Sequence, residues 1–128
     1  EDLSRPTKLA NAIGSGFSLL SGEDGTALPF RAAGGHGCIS VTANIAPRLL
    51  SEMHAAWNKG DIAGAMAINA RLMPLHSAMF CETSPGPVKY AASLLGMGSE
   101  DMRLPMTAIS DASKQSIKHI MQQLQLIS

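Results

Sequence analysis

Apolar positions along the chain fall first into short runs and later into helical stripes. Ser4, with Pro6 just inside, is placed to cap a first helix whose face carries Leu9, Ala12 and Ile13, and Gly14 and Gly16 end it. Phe17-Ser18-Leu19-Leu20-Ser21 is an apolar run bounded by glycines, which predicts a strand covered on both faces. The polar turn Gly22-Glu23-Asp24-Gly25 closes it. A short helix from about Thr26 to Ala33 then leads through Gly34-Gly35-His36-Gly37 into a second strand, Cys38 to Val41. This α-β-α-β order with tight loops predicts parallel strands joined by helical crossovers.

After Thr42-Ala43-Asn44 the pattern is helical throughout. Pro47 suits the first turn of a helix whose apolar face is Ile45, Leu49, Leu50, Met53, Ala56 and Trp57, up to the break at Asn58-Lys59-Gly60. Asp61 caps the next helix, lined on one side by Ile62, Ala65, Met66, Leu72 and Met73, and Pro74 should kink it or start a new segment running to Phe80. Pro85-Gly86-Pro87 launches a helix from Val88 to Leu95, and Gly96 to Pro105 is a loop. Ile117, Ile120, Met121 and Leu124, spaced i, i+3, i+4, i+7, predict a last amphipathic helix.

Two buried parallel strands would each leave an unprotected edge, so the sheet has to continue beyond this stretch. The 128 residues amount to about half of the ~250 that a closed α/β barrel takes. Either the chain is a fragment of a larger barrel, the preferred reading, or a second chain supplies the missing strands.

Composition narrows the function. The net charge is 0, 45% of residues are hydrophobic and 16% charged, a balance typical of a folded globular domain. Basic residues are scattered without runs, so nucleic acid and anionic membranes are not expected partners. No apolar stretch approaches the roughly 20 residues of a membrane span, and the start EDLSRPTK is too polar for a signal peptide, so a cytoplasmic protein is expected. Cys38 and Cys81 lie among apolar residues and read as reduced core thiols.

Several chemistries fail on spacing. Gly34, Gly35 and Gly37 precede a strand, whereas nucleotide fingerprints follow one, so they read as a turn needing positive φ. His36, His54, His76 and His119 form no i, i+4 pair and neither cysteine has a close partner, so no metal site and no cofactor is expected. No GxSxG elbow is present. In parallel sheets, ligands meet the loops at the carboxyl ends of strands, here Gly22-Glu23-Asp24 and Ser40 to Asn44. Glu23 and Asp24 could equally cap the following short helix, and Asn44 the helix beginning near Ala46; capping and binding are compatible.

The segments FSLLSGEDGTALPF, GGHGCISVTANIAPR, RLMPLHSAMF, PGPVKYA and RLPMT, in that order, resemble the C-terminal half of the dihydrodipicolinate synthase family of pyruvate-dependent Schiff-base aldolases. The resemblance covers nearly the whole chain, and GGHGCISVTAN is its most specific part. It implies an α/β fold, the last two strands of a (β/α)8 barrel plus a C-terminal helical domain, with residues 1–44 in the last βα units and 45–128 in the closing helix and helical domain. It implies a lyase of lysine biosynthesis, usually homotetrameric, that condenses pyruvate with aspartate semialdehyde. The family's Schiff-base lysine ends strand six, just before a polar stretch like Glu1-Asp2-Leu3, so it is expected in an N-terminal half outside these residues, with no catalytic residue among the 128. Lys8, Lys59, Lys89, Lys114 and Lys118 fall on predicted helices, whereas a nucleophilic amine needs a desolvated pocket. By resemblance, Ile39 offers its carbonyl to pyruvate while its side chain anchors in the barrel, and Gly22, Glu23 and Asp24 border the second substrate. Glu23 stands where an Asp is common and Ser84 where an Asn is common. The apolar Val41 favours small substrates over sugar acids. The alternative is a non-catalytic half-barrel that pairs its open strands with a binding partner.

Overall fold

The computed structural model describes residues 2–14 and 16–128; Glu1, first of the polar stretch Glu1-Asp2-Leu3, lies outside the described residues, as does Ser15. The chain forms two compact units, Glu1–Ser40 and Val41–Ser128.

The first unit holds α1 (Arg5–Ile13), β1 (Leu20–Ser21), α2 (Ala27–Ala32) and β2 (Gly37–Cys38). Ser4 occupies the cap position of α1, but its side chain caps nothing in the helix. Its N–H and hydroxyl instead donate to Asp2 Oδ1 at 2.9 and 2.6 Å. Gly14, at φ 72°, ends α1 with its N–H on the Ala10 carbonyl. The strands are parallel, as the α-β-α-β order predicts, with Leu20 opposite Gly37 and Ser21 opposite Cys38.

They are also shorter than the predicted 17–21 and 38–41, and the expectation of cover on both faces fails: Phe17 is 65% exposed, Leu20 48% and Ile39 70%. The helices of this unit do not close both faces of a two-residue ladder, so side chains of a buried type face outward. Between α2 and β2 the chain turns at Gly34 (φ 97°) and Gly35, where an added Cβ would sit 2.1 Å from the Phe30 ring.

The second unit is helical: a 3-10 turn (Thr42–Asn44), then α3 (Pro47–Asn58), α4 (Ile62–Ala78), α5 (Gly86–Leu94) and α6 (Asp111–Gln123). Helix α3 packs on α4, which packs on α6, and α6 on α5. Met53, Ala65, Leu72, Leu75, Met79, Ala91, Ile117 and Met121 are fully buried between them. Asp61 caps α4 as predicted, accepting the Gly64 N–H at 2.9 Å.

Three expectations are corrected in this unit. Asn44 does not cap α3; Ala46 holds that position, and the Asn44 amide donates to the Val41 carbonyl at 2.9 Å, closing the 3-10 turn. Helix α4 continues through Pro74 to Ala78, so no new segment starts at the proline. Its buried side is Ala65, Leu72, Leu75, His76 and Ala78, while Ile62, Met66 and Met73 are exposed. So much of α4 is apolar that hydrophobic spacing alone does not select the inward face.

Helices α5 and α6 are tied by polar contacts. The Ser110–Ser113 cap of α6 is held from outside by Glu82, whose carboxylate accepts the Ser110 N–H and hydroxyl at 2.9 and 2.8 Å. Lys114 on α6 reaches Glu100 at 2.6 Å and lies over the Tyr90 ring, 5.3 Å from its centroid. The peptide bonds Ser84–Pro85 and Leu104–Pro105 are cis.

Candidate functional site

The site residues expected from sequence come together at the carboxyl ends of the two strands, within the first unit. Ser21 and Cys38 are the last paired residues, so the register sets Gly22 and Ile39 side by side. The Ile39 N–H extends the ladder, donating to the Ser21 carbonyl at 2.8 Å, and the His36 N–H does the same at the opposite end, to Leu19, at 2.8 Å. There the His36 ring continues the pairing. Its Nδ1 accepts the Leu19 N–H at 2.9 Å, which in the neutral ring puts the proton on Nε2, and Arg31 donates to the His36 carbonyl at 2.8 Å.

The loop after β1 is built by short-range bonds. Ser21 is buried, and its hydroxyl brackets the next turn, accepting the Glu23 N–H and donating to the Glu23 carbonyl, both at 3.0 Å. Glu23 folds back so that Oε1 accepts the Gly25 N–H at 3.0 Å. Thr26 holds the cap position of α2 without a side-chain bond to the helix, and the Ala27 N–H goes to the backbone carbonyl of Asp24 at 3.2 Å. The side chain of Asp24 is 2% exposed and has the Cys38 thiol 3.9 Å from Oδ1. Burial first, and then the charges of Asp24 and Glu23, push the Cys38 thiol up to about 11.

Gly22 and Glu23 border an open cleft of about 330 Å³ beside β1, whose other walls include Arg5, Leu9, Leu20 and Ser21. Asp24 is not among its lining residues. The expected anchoring of the Ile39 side chain is absent within its unit, for the same reason that Phe17 and Leu20 are exposed. Cys81 is likewise exposed instead of lying in a core, and neither cysteine forms a disulfide.

In the helical unit, sequence spacing missed one buried polar pair. Thr42 Oγ1 and His76 Nδ1 are 2.8 Å apart, both buried, and their separation of 34 positions carries no local signal. Lys114 is also the wrong kind of amine for a nucleophile: its hydrogen bond to Glu100 raises its pKa. Lys89 donates to the Asp101 carbonyl, and Lys8, Lys59 and Lys118 are exposed. Among the described residues no three His, Cys, Asp or Glu side chains cluster to hold a metal ion, and no helix is long and apolar enough to cross a membrane.

The sequence profile of the dihydrodipicolinate synthetase family matches residues 1–124. The 4-hydroxy-tetrahydrodipicolinate synthase of Acidiphilium cryptum is 58% identical over 127 residues, 99% of this chain and 44% of that protein. Among solved structures, dihydrodipicolinate synthase from Aquifex aeolicus superimposes with a TM-score of 0.93 at 35% identity, over 98% of this chain and 43% of that one. The chloride-inhibited synthase from Acinetobacter baumannii, complexed with pyruvate, superimposes with a TM-score of 0.90 at 33% identity, again over 98% of this chain and 43% of that one. The chain therefore spans less than half the length of these proteins.

Proposed function

The chain belongs to the dihydrodipicolinate synthetase family, and from that premise we propose that it forms part of a lyase joining pyruvate, held as a lysine imine, to aspartate semialdehyde. The product is 4-hydroxy-tetrahydrodipicolinate, on the way to lysine. In this reading residues 1–44 are the last βα units of a (β/α)8 barrel, residues 45–128 its closing helix and helical domain, and the working enzyme is a cytoplasmic homotetramer. The nucleophilic lysine belongs to an N-terminal half, and these 128 residues alone are inactive.

The observation that carries the reading is the parallel ladder whose carboxyl ends set Ile39 beside the Gly22–Asp24 loop, within a chain that overlays almost entirely on a pyruvate-complexed relative. Ligands of parallel sheets sit at that end. An imine needs an amine that is uncharged in part at working pH, which calls for desolvation or a cationic neighbour. The ion pair of Lys114 works in the opposite direction. What this stretch supplies is a wall: the Ile39 carbonyl turned to pyruvate, and Gly22 and Glu23 beside the aldehyde.

Borohydride reduction in the presence of pyruvate tests the proposal. The 128-residue chain should take up no pyruvate adduct, and mixing it with the N-terminal half should restore both the adduct and turnover. An adduct on the chain alone would sink the claim that its lysines are bystanders. The exposure of Phe17, Leu20 and Ile39 also favours a second reading, a non-catalytic half-barrel that pairs these strands with a binding partner. Restored turnover on mixing rules that reading out, and a stable complex without turnover supports it.

A further inference from the structure

We propose that Asp24 is a positioning residue and not a substrate contact: its carboxylate locks the loop after β1 onto β2, so that Gly22 and Glu23 meet substrate in register with Ile39. The inference rests on reading these loops as one wall of an aldolase site. Gly22 is exposed and Glu23 half-buried, whereas Asp24 is almost wholly buried. A buried carboxylate has to be partnered within the protein. One partner of Asp24 is the thiol of Cys38, which sits in β2 directly opposite Ser21, the last residue of β1. A thiol held protonated well above neutral pH remains a donor throughout the working range. The backbone carbonyl of Asp24 meanwhile receives the first N–H of α2. One residue thus fastens the loop to the strand through its side chain and to the helix through its main chain.

The test uses the full-length protein and four variants: Asp24→Asn, Cys38→Ala, the double variant and Cys38→Ser. Steady-state kinetics are measured with pyruvate and aspartate semialdehyde, beside borohydride trapping of the pyruvate adduct. Asp24→Asn and Cys38→Ala should each raise KM for the aldehyde roughly three- to tenfold, the worth of one hydrogen bond, with a smaller change in kcat. The double variant should be no worse than the weaker single, because the two act as one unit. Cys38→Ser keeps a donor and should regain most of the loss. Additive single effects would mean that Asp24 does not act through the Cys38 thiol, and a fall in kcat at constant KM would mean that only folded protein was lost; either overturns the proposal. Should Asp24→Asn fail to fold, Cys38→Ala and Cys38→Ser decide alone, and a wild-type KM in Cys38→Ala overturns it. Failure of the underlying aldolase reading is separately visible, as wild-type protein that traps no pyruvate.

Discussion

The turn that delivers β2 offers a test of how tightly sequence controls the site, through the substitution Gly35→Ala. An alanine Cβ there would lie 2.1 and 2.2 Å from two ring carbons of Phe30 and 2.8 Å from the Phe30 carbonyl oxygen, where contacts between carbons are comfortable near 3.5 Å. The ring can swing aside, but only by giving up part of its burial, about 1 kcal/mol for a half-buried phenylalanine. The carbonyl cannot move without disturbing the bond it accepts from the Gly35 N–H at 2.9 Å, worth about 1 kcal/mol. With residual crowding, the cost comes to about 2–4 kcal/mol. Gly34→Ala is the internal control: it meets open space and carries only the penalty of φ 97°, about 1 kcal/mol. Native-state hydrogen exchange at the His36 and Ile39 amides, which extend the ladder at its two ends, reads the effect locally. Gly35→Ala should lower their protection about 30- to 1000-fold and Gly34→Ala only about fivefold. Protection in Gly35→Ala within a factor of about three of wild type would refute the steric reasoning.

Two further outcomes follow from the same structure. At pH 8, iodoacetamide should alkylate the exposed Cys81 at least about tenfold faster than Cys38, whose thiol is half-buried and pushed up to about 11, since only the thiolate reacts; mass-mapped rates that are equal would contradict that environment. Hydrogen bonds from Ser113 and Ser110 hold the half-buried Glu82 carboxyl below its ordinary value of 4.5. Because the folded pKa is the lower one, its stabilisation is complete above the ordinary value and is lost as the pH falls through the lowered one. Thermal unfolding of wild type should therefore fall more steeply below that value than unfolding of Glu82→Gln, and parallel pH curves would dismiss the tether.

Much of the fold was legible because the deciding signals are local. The parallel pairing follows from glycine-bounded apolar runs separated by a short helix, the α4 cap from Asp61, and the buried side of α6 from the spacing of Ile117 and Met121. Signals that depend on distant partners were not legible. Thr42 and His76 are ordinary residues until the fold brings them to 2.8 Å. Asn44 carries the right side chain for a cap, but Pro47 starts α3 one residue after Ala46, which leaves the Asn44 amide to close its own turn. At the site, sequence grouped Gly22, Glu23 and Asp24 as one binding loop, and only burial separates the third from the first two.

The exposed strand residues are the most informative misfit between pattern and structure. The sequence pattern places Phe17, Leu20 and Ile39 under cover, because a run of large apolar residues between glycines has no use on a solvated face. Their exposure in the first unit does not make the pattern wrong; it identifies surface that the unit's own helices leave open. Backbone bonding is consistent with this, since the ladder is completed at one end by a histidine ring and at the other by the amide of Ile39, the residue proposed to face pyruvate. If an N-terminal half supplies the missing neighbours, its arrival should bury all three side chains together. The Ile39 carbonyl would then come to face the pocket because its side chain has been pinned on the far side. Pinning of the side chain and presentation of the carbonyl are one event, so replacing Ile39 by alanine should weaken both association with the N-terminal half and the affinity for pyruvate.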